Sequence, residues 1–460
     1  MKLPLALAVE VTGGRLGGGR APGLLHVLTD TRRLAPGDTF LALHGERFDG
    51  HDFAGDAVHR GAALLVLDRE AALDGDTPVL HVADTKAAYM ALAGAARGLF
   101  RGRVAAITGS TGKTTTKDFL AQLLAAAYGE RVLASPNNEN NEIGVSKLLL
   151  SASNETHDVL VVEMGARHYG DIDALVAIAA PETGILTNVG DAHLEIVGSR
   201  ERLAETKWAL FSRGARAVLN ADDAVSHRRA PSLERPPHWF FFEGAHPKKR
   251  IHDVSPPYTG LIGDERLVHS ENGQTEEYAV DLRVPGAHNR ENLAAAVAGA
   301  LELSVPMERI AATIPIVRLP AGRYDPIPLP GGVRLIYDAY NANAQSMLAA
   351  LATFATEPAS RRIAVLASMA ELGEESALLH ERVGEHAARS VDVLLVSGEY
   401  AADVTRGARR GGMTDRQIVE IATNADAARW IREHAGPDDV VLLKGSRKYK
   451  LEEIVTELRA

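Results

Sequence analysis

Residues 104 to 117 read Val-Ala-Ala-Ile-Thr-Gly-Ser-Thr-Gly-Lys-Thr-Thr-Thr-Lys, and this stretch decides the fold. Its four leading apolar residues predict a buried strand, and apolar side chains then recur at helical spacing at Phe119, Leu120, Leu123 and Leu124. A strand, a tight turn and a helix in this order direct successive backbone N–H groups and the positive end of the helix dipole at one point. The stretch therefore predicts a cradle for a nucleoside triphosphate.

The side chains of the turn suit a polyphosphate and its metal ion. Gly109 and Gly112 leave room for close approach of the backbone. Lys113 can reach the terminal phosphates, and the Thr114 hydroxyl is placed to bind Mg2+. The two glycines stand closer together than in the general phosphate-loop pattern, which is matched only in its second half. The alternative is a glycine-rich turn that only joins a strand to a helix.

The composition is that of a globular enzyme with several domains. The length of 460 residues indicates about three domains, and 46% hydrophobic with 24% charged residues is ordinary for a folded protein. A formal net charge of −10 argues against a nucleic-acid partner, and the lack of cysteine excludes disulfides and thiolate metal sites. The first ten residues do not resemble a signal peptide, and no stretch reaches the length of a membrane span. We therefore expect a cytoplasmic enzyme without membrane insertion.

The chain divides into three predicted α/β domains, at residues 1–100, 101–318 and 319–460. The first is a small unit with strands at 39–43 and 63–67 and a helix at 84–99. The central one alternates strands and helices around the phosphate loop, which predicts a doubly wound, mostly parallel sheet. Short alternating apolar runs at 230–285 predict antiparallel strands or an insertion.

The third domain follows a stretch rich in proline and glycine, residues 320–330, which predicts a linker. Strand candidates separated by helical segments then predict a second doubly wound, Rossmann-like sheet. These candidates are 333–337, 362–367, 391–396 and 439–443.

Polar residues end two strands of the central domain. Glu163 closes the apolar run 158–163, and ligands collect outside the carboxyl ends of parallel strands, so Glu163 is placed to reach a magnesium ion at Thr114. The alternative is a surface acid that ends a strand. His193 follows another strand, at 184–188, but a lone histidine is more often structural.

Three other groups have an ordinary interpretation when only the residue pattern is used. The asparagine-rich stretch 135–144 is typical of a plain loop. Lys207, on a predicted helix at 203–210, is ordinarily a solvated charge. The clusters 30–32 and 47–51, with Asp, Arg and His together, favour solvated turns.

Together these pieces resemble the Mur ligase family, the ATP-dependent amino-acid and peptide ligases of bacterial cell-wall precursor synthesis. The loop Thr108-Gly-Ser-Thr-Gly-Lys-Thr-Thr has the shortened form that this family uses, which resolves the glycine spacing. The resemblance continues in Glu163-Met-Gly-Ala, in Thr187-Asn-Val-Gly-Asp-Ala-His193 and in Gly286-Ala-His-Asn-Arg-Glu-Asn292. It covers essentially the whole chain.

Further segments resemble the members of that family that add a dipeptide, namely Thr116-Lys-Asp, Asn140-Asn-Glu-Ile-Gly and Asp338-Ala-Tyr-Asn-Ala-Asn343. The resemblance implies that D-alanyl-D-alanine is joined to UDP-N-acetylmuramoyl-tripeptide (UDP-MurNAc-tripeptide) through an acyl phosphate, with ATP and Mg2+ as cofactors. It favours a monomer, because one chain carries every site. Two alternatives are a sister ligase that adds a single amino acid and a phosphate-loop binding module that hydrolyses ATP to move a partner.

The resemblance also implies roles for individual residues. Catalytic roles fall to Lys113, Asn140, His193 and Lys207. Nucleotide contacts fall to Gly109, Ser110, Thr111, Gly112, Lys113, Thr114, Thr115, Asn141, Asn292, Arg323 and Asp338. Metal ligands are Thr114, Glu163, His193 and Lys207, the last in carbamylated form. Substrate contacts are Asp30, Thr31, Arg32, Asp49 and His51 for the UDP part, and Tyr340, Asn341 and Asn343 for the dipeptide.

Overall fold

The computed structural model describes residues 1–45, 48–71, 73, 75–190, 199–244 and 254–459. They form three α/β units, each built around a sheet of mostly parallel strands, so the predicted fold class is confirmed. No helix in this part of the chain combines the length and the hydropathy needed to cross a membrane.

The first unit has a five-stranded sheet and a separate two-stranded ribbon. Its elements are β1 (Leu3–Pro4), α1 (Leu5–Thr12), β2 (Arg15–Gly17), β3 (Leu24–Leu25), β4 (Val27–Leu28), β5 (Thr39–Leu41), α2 (Ala54–His59), β6 (Leu64–Leu67), β7 (Val79–His81) and α3 (Thr85–Leu99). The sheet runs β2-β7-β6-β5-β4, and only the β2–β7 pair is antiparallel. Asp84 begins α3 by accepting the N–H of Ala87 at 2.7 Å.

The central unit has a nine-stranded sheet with the phosphate loop near its middle. Its elements are β8 (Arg103–Thr108), α4 (Lys113–Tyr128), β9 (Val132–Ala134), α5 (Glu142–Ser151), β10 (Val159–Glu163), α6 (Asp171–Ala179), β11 (Thr183–Leu186), α7 (Arg200–Trp208), β12 (Arg216–Asn220), α8 (Ala224–Arg229), β13 (His238–Glu243), β14 (Tyr258–Ile262), β15 (Arg266–Glu271), β16 (Gln274–Ala279), α9 (Ala287–Glu302) and α10 (Met307–Thr313).

The strand order in this sheet is β16-β15-β14-β13-β12-β11-β8-β10-β9. Because β10 and β11 both run parallel to β8, the carboxyl ends of these three strands meet at one edge. The antiparallel strands expected at 230–285 are found only in part, since β13 and β14 extend the parallel sheet and only β15 and β16 run antiparallel.

The third unit has a six-stranded sheet in the order β17-β18-β22-β19-β20-β21. Its elements are β17 (Asp325–Pro328), β18 (Arg334–Tyr337), α11 (Ala344–Phe354), β19 (Arg362–Ala367), α12 (Ser376–Ala387), β20 (Val393–Ser397), α13 (Ala401–Arg410), β21 (Ile418–Glu420), α14 (Asn424–His434), β22 (Val440–Lys444) and α15 (Glu452–Arg459).

The linker predicted at 320–330 contains strand β17, so that prediction is wrong for residues 325–328. β17 pairs with β18 alone and lies at the edge of the sheet. An edge strand tolerates Pro326 and Pro328, because their missing N–H groups are not needed by a second neighbour.

The cores show which units are joined. One continuous cluster of buried side chains runs from Leu3 in the first unit to Trp239 in the central unit. The third unit has separate clusters of its own, which include Ile336 and Leu443. The domain boundaries at 100/101 and 318/319 stay predictions, but they fall between the sheets.

Candidate active site

The phosphate loop has a shape that only glycine permits at two positions. Gly112 begins α4 with φ of +82°, and a Cβ there would lie 2.1 Å from Asn292 Oδ1. A Cβ on Gly109 would lie 1.9 Å from Thr187 Oγ1. A side chain at either position would therefore clash with Asn292 or Thr187, and the loop or these neighbours would have to shift.

The end of β11 holds the loop in this shape. The Thr187 hydroxyl donates to the Thr111 carbonyl at 2.6 Å, and the Ser110 N–H donates to the Asn188 carbonyl at 3.0 Å. Asn188 Oδ1 also accepts the N–H of Thr111 at 3.2 Å. Sequence reasoning gave Thr187 and Asn188 no role, although their position after a strand next to β8 was a usable signal.

Two lysines, Lys207 buried and Lys113 half-buried, meet at one carbonyl oxygen of the loop. Lys113 Nζ donates to Gly109 O at 2.8 Å, and Lys207 Nζ donates to the same atom at 3.2 Å. Lys207 is only 2% exposed, so its interpretation as a solvated charge is wrong. Burial lowers the pKa of both lysines, and the neighbouring Lys113 lowers the pKa of Lys207 further. The pair favours an anion at this point and makes the Lys207 amine more available as a nucleophile.

Glu163 lies beside the loop with one oxygen engaged and one open. Its Oε1 accepts from Thr114 Oγ1 at 3.2 Å and from Asn140 Nδ2 at 2.8 Å. Its Oε2 is buried and has no hydrogen-bond partner among the described residues. The residue is 1% exposed, so the alternative of a surface acid is wrong.

These residues fit a magnesium ion. A buried carboxylate oxygen without a donor is unfavourable, and a hydroxyl with a carboxylate are oxygen ligands that Mg2+ prefers. Within the described ranges, no cluster of three or more Asp, Glu, His or Cys side chains is arranged to hold a metal, so one protein carboxylate would have to act with other ligands. His193, the other predicted ligand, lies outside the described residues.

Three more of the predicted nucleotide contacts lie around the loop. Asn292 packs against Gly112, as the distance above shows. Asn141 begins α5, where its Oδ1 accepts the Gly144 N–H at 3.0 Å. Thr115 is buried in the first turn of α4. Their contact with a nucleotide stays a prediction.

Arg323 brings a cation from the third unit toward the loop. Its guanidinium carbon lies 4.4 Å from the centre of the Tyr340 ring, and its Nε has no hydrogen-bond partner in the described part of the chain. Besides burial, the charge of Arg323 lowers the pKa of Lys113, so the two cations lie near enough to interact.

Asp338, a predicted ribose contact, is already paired. Its Oδ2 accepts from Lys444 Nζ at 2.8 Å, and both side chains are buried. His288 lies near this pair, and burial lowers the pKa of His288 from its usual 6.5 to about 4. The sequence analysis gives Lys444 no role, because only the fold brings it to Asp338.

The predicted dipeptide residues differ in what they contact. Tyr340 packs under Arg323, as described above. Asn343 begins α11 and exchanges hydrogen bonds with Ser346, and Asn341 Oδ1 accepts the N–H of Ala342 at 2.9 Å. Local hydrogen bonds thus occupy Asn341 and Asn343, whereas Tyr340 lies beside Arg323. Contact of these three residues with a dipeptide stays a prediction.

The residues predicted for the UDP part form two separate groups in the first unit. Arg32 makes a two-bond pair with Asp30 at 2.9 and 2.8 Å, which lowers the pKa of Asp30 to about 2. Thr31 between them is buried. This exposed Asp30–Arg32 pair agrees with a solvated turn.

The second group is centred on His51, which is buried, so its interpretation as part of a solvated turn is wrong. His51 Nδ1 lies 2.7 Å from Asp49 Oδ1, and its Nε2 lies 3.1 Å from Asp68 Oδ1. Arg69 forms an ion pair with Asp49. Asp68 was missed, because only the fold brings it to His51. No hydrogen bond between described residues joins either group to the phosphate loop.

Three family models match the chain. They are "Mur ligase family, catalytic domain" over residues 25–97, "Mur ligase middle domain" over 107–300 and "Mur ligase, glutamate ligase domain" over 322–447. The UDP-N-acetylmuramoyl-tripeptide–D-alanyl-D-alanine ligase of Escherichia coli strain K12 is 34% identical over 471 residues, which span 100% of this chain and 99% of that protein.

Two solved structures agree with this likeness. MurF from Acinetobacter baumannii superposes with a TM-score of 0.86 at 28% identity, over 100% of this chain and 99% of that one. MurF ligase from Thermotoga maritima in complex with ADP superposes with a TM-score of 0.77 at 27% identity, over 94% and 96% of the two chains.

Proposed function

The chain belongs to the Mur ligase family, and we propose from this premise that it joins D-alanyl-D-alanine to UDP-MurNAc-tripeptide while ATP is converted to ADP and phosphate. The product is the UDP-MurNAc-pentapeptide of peptidoglycan precursor synthesis. The family and the ligase activity expected from the sequence are confirmed by these relatives. The observation that carries the proposal is the full-length likeness to ligases that add this dipeptide, on a chain whose phosphate loop keeps its two glycines and its lysine.

The reaction has two steps in this proposal. A terminal carboxylate oxygen of the tripeptide attacks the γ-phosphorus of ATP, an acyl phosphate forms, and the bond to ADP breaks. The amine of D-alanyl-D-alanine then attacks the acyl carbon, inorganic phosphate leaves, and the amine loses a proton. Both steps bring negative groups together, so catalysis depends on positioning and on neutralising charge.

The loop residues supply the positioning for ATP. The N–H groups of residues 109 to 114 and the Lys113 ammonium would bind the phosphates, and Gly109 and Gly112 let the backbone come close enough to do so. When bound, Mg2+ would neutralise phosphate oxygens. We assign Thr114 and Glu163 to one ion and His193 to a second, with a carbamylated Lys207 as a further metal ligand. The buried open oxygen of Glu163 supports this assignment.

The other units complete the site in the proposal. Arg323 and Asp338 would meet ATP from the third unit, and Asn292 and Asn141 from the central one. Tyr340, Asn341 and Asn343 would contact the dipeptide, while the region of Asp30, Thr31, Arg32, Asp49 and His51 would hold the UDP part. Closure of the third unit over the loop would exclude water from the acyl phosphate. A monomer in the cytoplasm is sufficient for this scheme.

A product assay tests the proposal. Purified protein is incubated with ATP, Mg2+ and UDP-MurNAc-tripeptide, with and without D-alanyl-D-alanine, and phosphate and nucleotide mass are measured. We expect phosphate release that depends on the dipeptide, with one pentapeptide product formed for each phosphate. A product formed only with a single amino acid would identify a sister ligase, and phosphate release without a new peptide would identify a binding module.

A further inference from the structure

Lys117 is a buried cation that the mechanism above does not use. It lies on α4, three residues after Thr114, and is 2% exposed. Its Nζ donates to the Ser135 carbonyl at 2.8 Å and to the Asn137 carbonyl at 3.2 Å, and it lies 3.0 Å from Asp118 Oδ1. An ammonium has three N–H donors, so these three oxygens satisfy it completely.

Two of these oxygens belong to the segment that follows β9, residues 135–141, which we call the asparagine loop. β9 is the edge strand of the central sheet, so the sheet holds this loop on one side only. Asn137 has a φ of +48°, a left-handed conformation that asparagine tolerates better than most residues. In this conformation the carbonyls of Ser135 and Asn137 both accept from Lys117. The Ser135 contact is buried, and a buried carbonyl without a donor is unfavourable.

The same loop fixes the orientation of Glu163. The Ser135 hydroxyl accepts the Glu163 N–H at 3.0 Å, and Asn140 Nδ2 donates to Glu163 Oε1 at 2.8 Å. The Asn140 carbonyl also accepts the N–H of Gly165 at 2.8 Å. Because Oε1 is held in this way and also accepts from Thr114, Oε2 is the oxygen of Glu163 that is left open.

We propose that Lys117 is a positioning residue for the magnesium site, acting through the asparagine loop to hold Glu163 with Oε1 engaged beside Thr114 and Oε2 open. The proposal rests on the magnesium site of the proposed function. Lys117 contacts neither the metal nor the nucleotide in it. Residues that orient metal ligands in this way usually change metal affinity when they are removed.

The test measures how strongly Mg2+ strengthens the binding of ADP, by calorimetry with and without the metal. Lys117→Met keeps the length and apolar stem of the side chain but removes the charge and the donors. We expect the gain in ADP affinity on adding Mg2+ to be about tenfold smaller in this variant than in the wild type. The affinity for ADP without Mg2+ should change much less, because the loop around Lys113 stays intact.

Lys147→Met is the matched control. Lys147 also contacts the asparagine loop, through Glu139 at 2.8 Å, but this ion pair is partly exposed and involves no backbone carbonyl. We expect this variant to keep the magnesium dependence of the wild type. Lys117→Arg keeps the charge with a different shape and serves as the test should Lys117→Met fold poorly.

A double-mutant cycle separates positioning from a purely structural role. If Lys117 acts through Asn140, then Lys117→Met should reduce the magnesium dependence no further in an Asn140→Ala background. Independent, additive losses would overturn the proposal, as would an unchanged magnesium dependence in both Lys117 variants. A wild type whose ADP binding ignores Mg2+ would instead contradict the magnesium site of the proposed function.

Discussion

The carboxyl edges of the central and third sheets carry acidic residues in equivalent places, but the two edges treat the charge differently. Glu163 ends β10 with one buried oxygen that accepts no hydrogen bond from any described group. Asp338 follows β18 and is bound by Lys444 at the end of the neighbouring strand β22, at 2.8 Å. The edge of the central sheet therefore leaves the Glu163 carboxylate to be neutralised by a bound ligand, whereas the edge of the third sheet neutralises Asp338 with Lys444.

The cations near the two edges show the same contrast. Lys113 and Lys207 both donate to the Gly109 carbonyl, and no hydrogen bond between described groups joins either ammonium to a carboxylate. Lys444 donates to Asp338 at its side chain and at its carbonyl. We infer that the edge of the central sheet is arranged to bind phosphates and a metal ion. At the edge of the third sheet, the charges are already paired within the protein. The following experiments test this comparison.

The largest effect should come from Glu163→Gln. This change keeps the shape and the hydrogen bonds to Oε1 but removes the charge expected to hold Mg2+, so we expect kcat to fall about a thousandfold, or ~4 kcal/mol. The measurement is the dipeptide-dependent phosphate assay over a range of Mg2+ concentrations. A variant with wild-type kcat and magnesium dependence would show that the open oxygen has no catalytic use.

Lys444→Met should instead act on stability. It leaves the buried Asp338 without its cation, and removing one partner of a buried pair is expected to lower the free energy of unfolding by ~3 kcal/mol. The measurement is urea unfolding, with the exposed Lys448→Met as the control variant. Adding Asp338→Asn to Lys444→Met should recover part of the loss, and a cycle without recovery would contradict the pairing.

Lys207→Ala tests the carbamylated form of this lysine. Loss of the buried group should lower kcat about a hundredfold. If Lys207 works as a carbamate, small carboxylates such as formate or acetate should restore part of the activity, whereas Lys113→Ala should not respond. A wild-type protein that shows no carbamate signal after incubation with labelled bicarbonate, together with no rescue, would identify Lys207 as a plain cation.

The smallest effect concerns pH and His288. The folded-state pKa of about 4 is below the usual 6.5, so the folded protein binds fewer protons than the unfolded chain between these values. Stability is therefore retained above pH 6.5 and falls as the pH drops toward 4. The urea midpoints of the wild type and of His288→Gln are compared at pH 4 and at pH 6.5, which isolates this contribution. An equal change of midpoint with pH in both proteins would contradict it.

Local pattern was sufficient for much of the fold. The apolar run before Gly109 and the helical spacing after Lys113 correctly predicted β8 and α4. The parallel arrangement then placed Glu163 beside Thr114, because neighbouring parallel strands end at one edge. The strand β17 was missed, because prolines are acceptable at a sheet edge and give no strand signal.

The contacts that orient the site could not be predicted from spacing. Lys117 and Lys444 reach partners that only the tertiary fold brings to them. Asn141 and Asn343 proved to begin helices, a local role that competes with the ligand contacts expected from the resemblance. The sequence pattern indicated which residues could form the site, but burial and packing decide which of their atoms remain available for ligands.

The continuous core that joins the first unit to the central one has a consequence for substrate length. Arg97 on α3 reaches the carbonyl of Ala179 on α6, so the two units are also tied at their surface. If the uridine end is held in the first unit as proposed, the rigid connection between the two units fixes the distance from that end to the phosphate loop. The terminal carboxylate of a nucleotide-peptide with a shorter peptide would then not reach the γ-phosphate of ATP, however tightly that molecule bound.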